Sequence, residues 1–468
     1  MPETTSFSTD STPTTRPLAF GGGCRGAFGA GVVEAAFYGD DFTGSTDAMV
    51  QFARVGLRSV LLVTLPSASE LRTLTERYDV IGVAGIARSL PPDEQEAELR
   101  PVLEALRDLG PRVLQYKVCS TADSSPTRGS IGRALEIGRE VCGSTVVPVL
   151  IAQPELGRYT VFSHHFAAEA GTVHRLDRQP TMSTHPATPM HESDLRKHLS
   201  RQTSLPLGAL HLTTYSTLAT GLTAAGDVAA VLLDALTDED LRLLGEVILG
   251  DAGEARFVVG SGGMSRAVAL ALRPDGGAAT AAASRVGGPV LVVSGSQSRR
   301  TAEQIEYARS AGWEVLPLAD SVTTAHTTAG PADSLAGQAT AALADGVMGR
   351  AIGAFVAGVD GVVVHTKELD PRDVAQVPAA LAEVVRGIAA ATGVRRVVVA
   401  GGDTSGQVLR ELGISALELV GASESIAPGV HLCRAASGEG ELDGLELLLK
   451  PGQLGQVDLF TRFRGWSG

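Results

Sequence analysis

An α/β protein with two domains is the fold that this sequence predicts, each domain being a mostly parallel sheet flanked by helices, with a substrate cleft between them. The first observation is length, since 468 residues exceed what one hydrophobic core usually serves. The second is composition: aromatic residues make up only 4% of the chain, whereas glycine occurs 55 times, a balance typical of Val-rich strands and Ala-rich helices. The third is the alternation of short Val-rich segments with helical ones, which favours parallel strands.

Three regions follow from this alternation. Residues 1–31 are polar and then glycine-rich without a following GK[ST], so we expect a disordered or poorly structured tail. Residues 32–225 form the first predicted domain, and residues 226–468 form the second. The strand segments expected in the first domain are 32–41, 59–66, 80–87, 113–118 and 145–152. Those expected in the second domain are 255–263, 289–298, 361–366 and 395–406.

Charge and cysteine content exclude several classes of protein. The net charge of −13 argues against a nucleic-acid partner, because duplex binding needs a basic face. No apolar run approaches the roughly 18 residues that span a membrane, and the N-terminus lacks the basic start and apolar core of a signal peptide. The four cysteines include no CxxC pair and are expected to be free thiols. We therefore expect a cytoplasmic protein with no membrane partner, and homo-oligomerisation stays open.

Ionisable side chains follow the strands of the first domain, where ligands of a parallel sheet bind. Asp40 and Asp41 end the first strand, and Arg88 follows the third. The segment 116–132, YKVCSTADSSPTRGSIG, adds four candidates, namely Lys117, Ser120, Thr121 and Arg128. Cations bind a carboxylate and an aspartate accepts the proton of a hydroxyl, so this set predicts a site for a hydroxy acid. The competing interpretation is that an aspartate only caps a helix and that Lys117 is solvated.

Residues 154–206 differ from the rest of the first domain. They are long, irregular and rich in proline and histidine, as expected of a functional or lid segment. His185, in THPATPM, is a candidate ligand for the substrate, although a structural role is as well supported.

Three glycine-containing loops in the second domain predict a nucleotide site. The most specific loop is GGDTSG, directly after a Val-rich strand, because N–H groups at a following helix start bind phosphate. Its candidates are Gly401, Gly402, Asp403, Thr404 and Ser405. The other two loops are GSQS, with Ser296 and Ser298, and KPGQLG, with Gly452 and Gly455. Each loop alone is also compatible with a plain turn.

Other nucleotide-binding classes are opposed by missing motifs. The sequence has no GxxxxGK[ST] and no HRD or DFG set, which excludes P-loop proteins and the protein-kinase family. No GxGxxG follows the first strand, which opposes a nicotinamide-dependent dehydrogenase.

Five motifs in order resemble the four-carbon acid sugar kinase family, from about residue 36 to the end of the chain. They are GDDFTGSTD at 39–47, YK…ST…RGSIG at 116–132, SGSQSRRTAEQI at 294–305, GGDTSG at 401–406 and LLKPGQLG at 448–455. The resemblance implies that the first domain binds a sugar acid and the second binds ATP, with Mg²⁺ neutralising the phosphates. It makes Asp41, or its rival Asp40, the base or metal-facing carboxylate.

Two departures from the family pattern bear on the substrate. Members that act on 3-oxo-tetronate or threonate read KxDSTLRGN, whereas this chain has Cys119 in place of the aspartate. The segment 176–195 resembles the subgroup that acts on 3-oxo-isoapionate, which reads DRHP where this chain has Gln179. We therefore predict an ATP-dependent kinase that phosphorylates a terminal hydroxyl of a short 3-oxo acid, such as 3-oxo-isoapionate or 3-oxo-tetronate. A threonate or erythronate kinase and a non-catalytic sensor of the same fold are the alternatives.

Overall fold

The computed structural model describes most of the chain. The described residues are 33–185, 187–215, 222, 227–250, 256–277, 287–318, 335–366, 376–420, 426–427, 429–437 and 440–466. The predicted tail, residues 1–31, lies outside these residues. No helix that the structure describes is long and apolar enough to cross a membrane.

The described part of the chain contains β-strands and α-helices in alternation. The strands are β1 Ala35–Gly39, β2 Ser59–Leu62, β3 Val80–Ala84, β4 Val113–Lys117, β5 Val147–Leu150, β6 Arg158–Val161, β7 His164–Glu169, β8 Thr172–Arg175, β9 Leu207–Leu210, β10 Ala230–Leu233, β11 Arg256–Gly260, β12 Val290–Ser294, β13 Glu314–Pro317, β14 Gly361–His365, β15 Arg396–Ala400, β16 Ile414–Leu419, β17 His431–Ser437 and β18 Glu446–Lys450. The helices are α1 Phe42–Ala53, α2 Ala68–Leu74, α3 Pro92–Arg107, α4 Ile131–Cys142, α5 Pro180–Ser183, α6 Leu195–Ser200, α7 Asp238–Gly250, α8 Gly262–Leu272, α9 Arg299–Ser310, α10 Leu335–Val356, α11 Val377–Thr392, α12 Gly402–Glu411 and α13 Leu459–Gly465.

Fifteen strands form one sheet, in the order β13-β14-β12-β15-β18-β17-β16-β2-β3-β1-β4-β11-β5-β10-β9. Neighbouring strands are parallel except in three consecutive pairs, β18–β17, β17–β16 and β16–β2. The predicted α/β class with mostly parallel strands is confirmed. The two expected sheets are, however, two halves of one sheet, because β16 of the second half pairs with β2 of the first.

Two strands lie in the first half although they follow residue 225. β10 pairs with β5 and β9, and β11 pairs with β4 and β5. The predicted division between residues 225 and 226 therefore falls ahead of two strands that complete the first half. The predicted irregular stretch 154–206 contains β6, β7 and β8, which form a separate antiparallel sheet.

The strands that lead into the predicted motifs end together at one edge of each half. In the first half, Gly39 pairs with Ala84 of β3 and Lys117 of β4. In the second half, Ala400 of β15 pairs with Ser294 of β12 and with Lys450 of β18. All residues of these six strands are buried, so the loops that follow them carry the polar groups. Parallel register thus gathers distant motifs into two clusters.

The two clusters meet because α1 and α12 pack with their N-terminal turns together. A Cβ added to Gly406 of α12 would lie 3.0 Å from Cδ2 of Phe42 in α1, and one added to Gly402 would lie 3.8 Å from Thr43 Oγ1. A side chain at position 406 would therefore push the helices apart. Glycine at this position allows the close approach of the two halves.

Candidate active site

Asp41 is the N-cap of α1 and also faces the junction of the two halves. Its Oδ1 accepts a hydrogen bond from the Gly44 N–H at 2.9 Å, and its Oδ2 accepts one from Thr43 Oγ1 at 2.9 Å. Burial opposes ionisation of this carboxyl, but Arg88 and Lys117 outweigh burial and lower the pKa of Asp41. Asp41 is therefore ionised near neutral pH and is both a cap and a charged group of the site.

Asp40 is more deeply buried and is paired with Arg88. Its side chain is 1% exposed, against 13% for that of Asp41. Arg88 donates through Nε to Asp40 Oδ2 at 3.1 Å and through Nη2 to Asp40 Oδ1 at 2.6 Å. The same Nη2 donates to Asp41 Oδ1 at 2.9 Å. One guanidinium thus holds both carboxylates, and the deeper one fixes its orientation.

The pairing of Asp40 predicts an acidic limit to activity. Burial raises the pKa of Asp40 to about 6, with the Asp41 carboxylate adding to the rise and Arg88 opposing it. Above that pH the ionised carboxylate orients Arg88, and below it the protonated group loses its ion pair with Arg88. We therefore expect kcat/KM to fall on acidification with a midpoint near pH 6. Asp40→Asn should have low activity and lack this limb in a pH–rate profile, and an unchanged limb in that variant would contradict the assignment.

Lys117 is buried at the end of β4, directly behind α1. Its Nζ donates to the Val118 carbonyl at 2.9 Å and lies 3.7 Å from Asp47 Oδ2. Asp47 also accepts hydrogen bonds from Gln153 Nε2 at 3.1 and 3.2 Å. The ammonium is therefore neither solvated nor at the surface, and Asp47 is a partner that the sequence analysis missed.

Ser120 and Thr121 lie in the loop after β4. Ser120 offers its carbonyl oxygen to His165 Nε2 at 2.8 Å, and Thr121 Oγ1 lies 3.0 Å from Cys119 Sγ. Burial lowers the pKa of His165 to about 4, so this histidine is neutral and supports the loop. Ser120 and Thr121 do not line the cavity at the junction of the two halves.

His185 and Gln179, from the segment that the resemblance singles out, make local contacts. His185 Nδ1 lies 2.9 Å from Thr188 Oγ1 and 3.8 Å from Asp123 Oδ1. Gln179 caps α5 and donates through Nε2 to Glu169 Oε2 at 2.6 Å. Neither residue lines the cavity.

The GGDTSG loop begins α12 and leaves the start of that helix open. Gly401 has φ +127° and ψ 127°, a conformation that is essentially restricted to glycine. Since glycine has no side chain to cap the helix, the first N–H groups of α12 are left for an anion. Ser405 Oγ donates to the Gly401 carbonyl at 2.6 Å and holds the turn. Asp403 and Thr404 lie in the first turn of α12.

The GSQS and KPGQLG loops are joined by hydrogen bonds. Ser298 caps α9, accepting from the Thr301 N–H at 3.1 Å, and its hydroxyl donates to the Gly452 carbonyl. Lys450 Nζ donates to that carbonyl at 3.0 Å and to Thr301 Oγ1 at 2.8 Å. Ser296 Oγ accepts from the Ser298 N–H at 3.3 Å. The two loops, which are about 150 residues apart in the sequence, thus form one structure beside the GGDTSG loop.

Lys450 is a second buried cation that the sequence analysis did not select. Burial lowers its pKa to about 7, with Arg300 adding to the effect. At the other end of the loop, Gln304 Nε2 donates to two backbone carbonyls on either side of Gly455 at 3.1 and 2.9 Å. Gly455 has φ +88°, so the loop turns sharply there.

A cavity of about 330 Å³ lies at the junction of the two halves, where the sequence predicts a cleft. From the first half it is lined by Asp40, Asp41, Phe42, Gly85, Ile86, Arg88, Ser89 and Arg128. From the second half it is lined by Gly402, Gly406, Gln407 and Arg410, all of them in α12. Both carboxylates and one end of the nucleotide-type loop therefore face the same cavity.

Arg410 is the cavity residue that sequence reasoning had no means of finding. It lies in the third turn of α12, and its Nη2 donates to the Ala84 carbonyl of the first half at 3.2 Å. No glycine or strand end marks it in the sequence. Its location follows only from the packing of α12 on α1.

Comparison with known proteins finds a separate family for each half of the chain. The sugar-binding N-terminal domain family matches residues 35–268, and the nucleotide-binding C-terminal domain family matches residues 291–460. A 3-oxo-isoapionate kinase of Paraburkholderia graminis is 39% identical over 92% of this chain and 93% of its own length. A 3-oxo-tetronate kinase of Methylobacterium radiotolerans is 33% identical over 90% of this chain and 96% of its own. The crystal structure of a Salmonella typhimurium LT2 protein shares the fold with a TM-score of 0.71, covering 92% of this chain and 99% of that one at 23% identity.

These matches define a class of kinases that bind a sugar in one domain and a nucleotide in the other. The chain belongs to the four-carbon acid sugar kinase family. The resemblance carried by the five sequence motifs is confirmed, as is the prediction of an enzyme of the kinase class.

Proposed function

We propose that this protein transfers the γ-phosphoryl group of ATP to a terminal hydroxyl of a short 3-oxo sugar acid, such as 3-oxo-isoapionate or 3-oxo-tetronate. The observation that carries the proposal is the shared cavity, in which paired carboxylates of the first half face the start of α12 in the second. Full-length relatives that act on these acids support the substrate class. A reaction that consumes ATP supports a cytoplasmic location as part of this proposal.

The bounds of the two proposed domains follow from strand pairing in the sheet. The sugar-acid domain extends past residue 225, because β10 and β11 pair inside the first half and the matching family reaches residue 268. The nucleotide domain corresponds to residues 291–460. Each domain then contributes one wall of the cavity.

Asp41 is assigned as the base that receives the hydroxyl proton. It is the more exposed of the two carboxylates and lines the cavity, whereas Asp40 is buried and orients Arg88. A base within hydrogen-bond reach of the acceptor hydroxyl removes its proton as the new P–O bond forms. Asp40 thus acts through Arg88, and Asp41 acts on the substrate.

The remaining predicted residues of the first half form the surroundings of the acid. Arg128 is exposed at the cavity and is available to a carboxylate. Lys117 stabilises the ionised form of Asp41 from behind α1. Ser120, Thr121 and His185 would support the loop and segment beside the acid.

ATP is assigned to the three loops of the second half. The open start of α12 would hold phosphate oxygens, while the joined loops at Ser298 and Gly452 would border the nucleotide beside it. Mg²⁺ usually binds to phosphates together with one or two carboxylates, and Asp41, the more exposed carboxylate of the cavity, fits that need. The described residues contain no group of three or more metal-ligating side chains, so the phosphates themselves would supply most of the ligands and Mg²⁺ would neutralise their charge.

The test is coupled ADP release with ATP and Mg²⁺ against a panel of acids. The panel contains 3-oxo-isoapionate, 3-oxo-tetronates, threonate and erythronate. We expect a 3-oxo acid to give the highest kcat/KM, because the relatives named for 3-oxo acids match over nearly the whole chain. Higher kcat/KM for threonate or erythronate would assign the alternative substrate class. No turnover with any acid, while ATP still stabilises the protein, would contradict the proposal.

A further inference from the structure

Arg88 is the cation of the cavity whose charge is already paired within the protein. It donates to Asp40 twice and to Asp41 once, so three of its five N–H groups are engaged with carboxylates. With both carboxylates ionised, this trio has two negative charges and one positive charge. Lys117, a further buried cation, lies 3.7 Å from Asp47 Oδ2. An acid entering this cavity therefore needs other cations to offset repulsion by the carboxylates.

Two arginines at the cavity have donors to spare, and they come from different halves of the protein. Arg128 is exposed, and its side chain makes no hydrogen bond or ion pair with any residue that the structure describes. Arg410 donates one hydrogen bond, to the Ala84 carbonyl, within the same described part of the chain. A guanidinium carries five N–H donors in a fork that matches a carboxylate. Both side chains can therefore accept an anionic ligand without breaking an ion pair.

The position of Arg410 favours the acid over the nucleotide as its ligand. Arg410 lies eight residues after Gly402, the first residue of α12, or about 12 Å along the helix axis. Its guanidinium reaches the end of β3, the strand that leads through Gly85 and Ile86 to Arg88. The group thus belongs to the second half by sequence and to the acid side of the cavity by location.

We propose that Arg410 and Arg128 bind the carboxylate of the sugar acid between them, so that the substrate bridges the two halves of the protein. This inference rests on the proposed function and adds a specificity-determining residue from the nucleotide domain. Because the bridge requires both halves to be in contact, the acid would hold α12 against α1 and bring the loop at Gly401 over the acceptor hydroxyl. A neutral analogue of the same sugar would leave both arginines without a partner.

The test compares the sugar acid with its neutral amide in wild type and Arg410→Gln. We expect the ratio of kcat/KM for acid over amide to fall about 10- to 100-fold in the variant, as is usual when a hydrogen bond to a charged group is lost. The KM for ATP should stay within about twofold, because the phosphate loop is unchanged. Arg410→Lys, which keeps the charge but loses the fork, should give an intermediate ratio. Arg410→Lys also tests the inference if Arg410→Gln does not fold.

Arg242→Gln is the matched control, since Arg242 pairs with Glu239 on α7, does not line the cavity and should leave the ratio unchanged. In Arg128→Gln/Arg410→Gln the losses should be smaller than the product of the single losses, because both side chains bind one group. An equal loss for acid and amide, or a rise in the KM for ATP alone, would overturn the inference and leave the proposed function intact. A wild-type protein that turns over no acid would overturn the proposed function and this inference together.

Discussion

Replacing Asp41 by asparagine is expected to lower kcat by about 10²- to 10⁴-fold while the fold is retained, as for loss of a general base. Asparagine caps helices as well as aspartate does, so the Gly44 N–H keeps its acceptor, and the Thr43 hydroxyl can accept from the amide NH₂ instead of donating. What is lost is the charge and the ability to accept a proton. The measurements are steady-state turnover of the acid and the melting temperature of both proteins.

Asp194→Asn is the control for the Asp41 variant. Asp194 also caps a helix, accepting from the N–H groups of Arg196 and Lys197 at the start of α6, but it does not line the cavity. We expect it to change neither kcat nor stability by much. If Asp41→Asn retained at least half of the wild-type kcat, the base would have to be sought elsewhere, beginning with Asp40.

The second large effect is expected at Gly401, where alanine should impair ATP use. Its backbone conformation, φ +127° and ψ 127°, costs about 1–3 kcal/mol for a residue with a side chain. The added Cβ would also lie 3.1 Å from Thr404 Oγ1 and 3.4 Å from the Ser296 N–H nitrogen. The loop must then shift at the start of α12. We expect the KM for ATP to rise by at least about 10-fold, the effect of losing one charge-assisted hydrogen bond.

Gly393→Ala separates the loss of a nucleotide contact from general strain. Gly393 ends α11 with φ +70°, and a Cβ there would meet no atom within 4 Å. Alanine at this position should destabilise the protein by about 1 kcal/mol without changing the KM for ATP. An unchanged KM in Gly401→Ala, measured by initial rates at saturating acid, would remove the GGDTSG loop from the nucleotide site.

Sequence reasoning identified the strand ends but not how the two clusters meet. Val-rich segments followed by charged or glycine-rich turns located Asp40, Asp41 and the loop at Gly401, because parallel strands in register expose their following loops at one edge. The join between halves was not predictable in this way. It depends on the antiparallel pairing of β16 with β2, which no local pattern specifies.

The locations of individual side chains were harder to predict than the strand ends. The interpretation of Lys117 as a solvated cation is wrong, because it is buried beside Asp47, and its role at the acid site stays a prediction. Gln179, which departs from the family pattern, caps a short helix. Arg410 was missed because an arginine in an amphipathic helix has no distinguishing spacing, and only tertiary packing brings it to the cavity.

The most direct test of the central claim is identification of the products by ³¹P NMR after incubation with ATP, Mg²⁺ and 3-oxo-isoapionate. Phosphoryl transfer in the shared cavity predicts equimolar ADP and a new phosphate monoester, whose coupling to CH₂ protons shows a terminal hydroxyl as acceptor. Formation of ADP with inorganic phosphate and unchanged acid would contradict the claim, because the cavity would then activate water instead of the sugar acid.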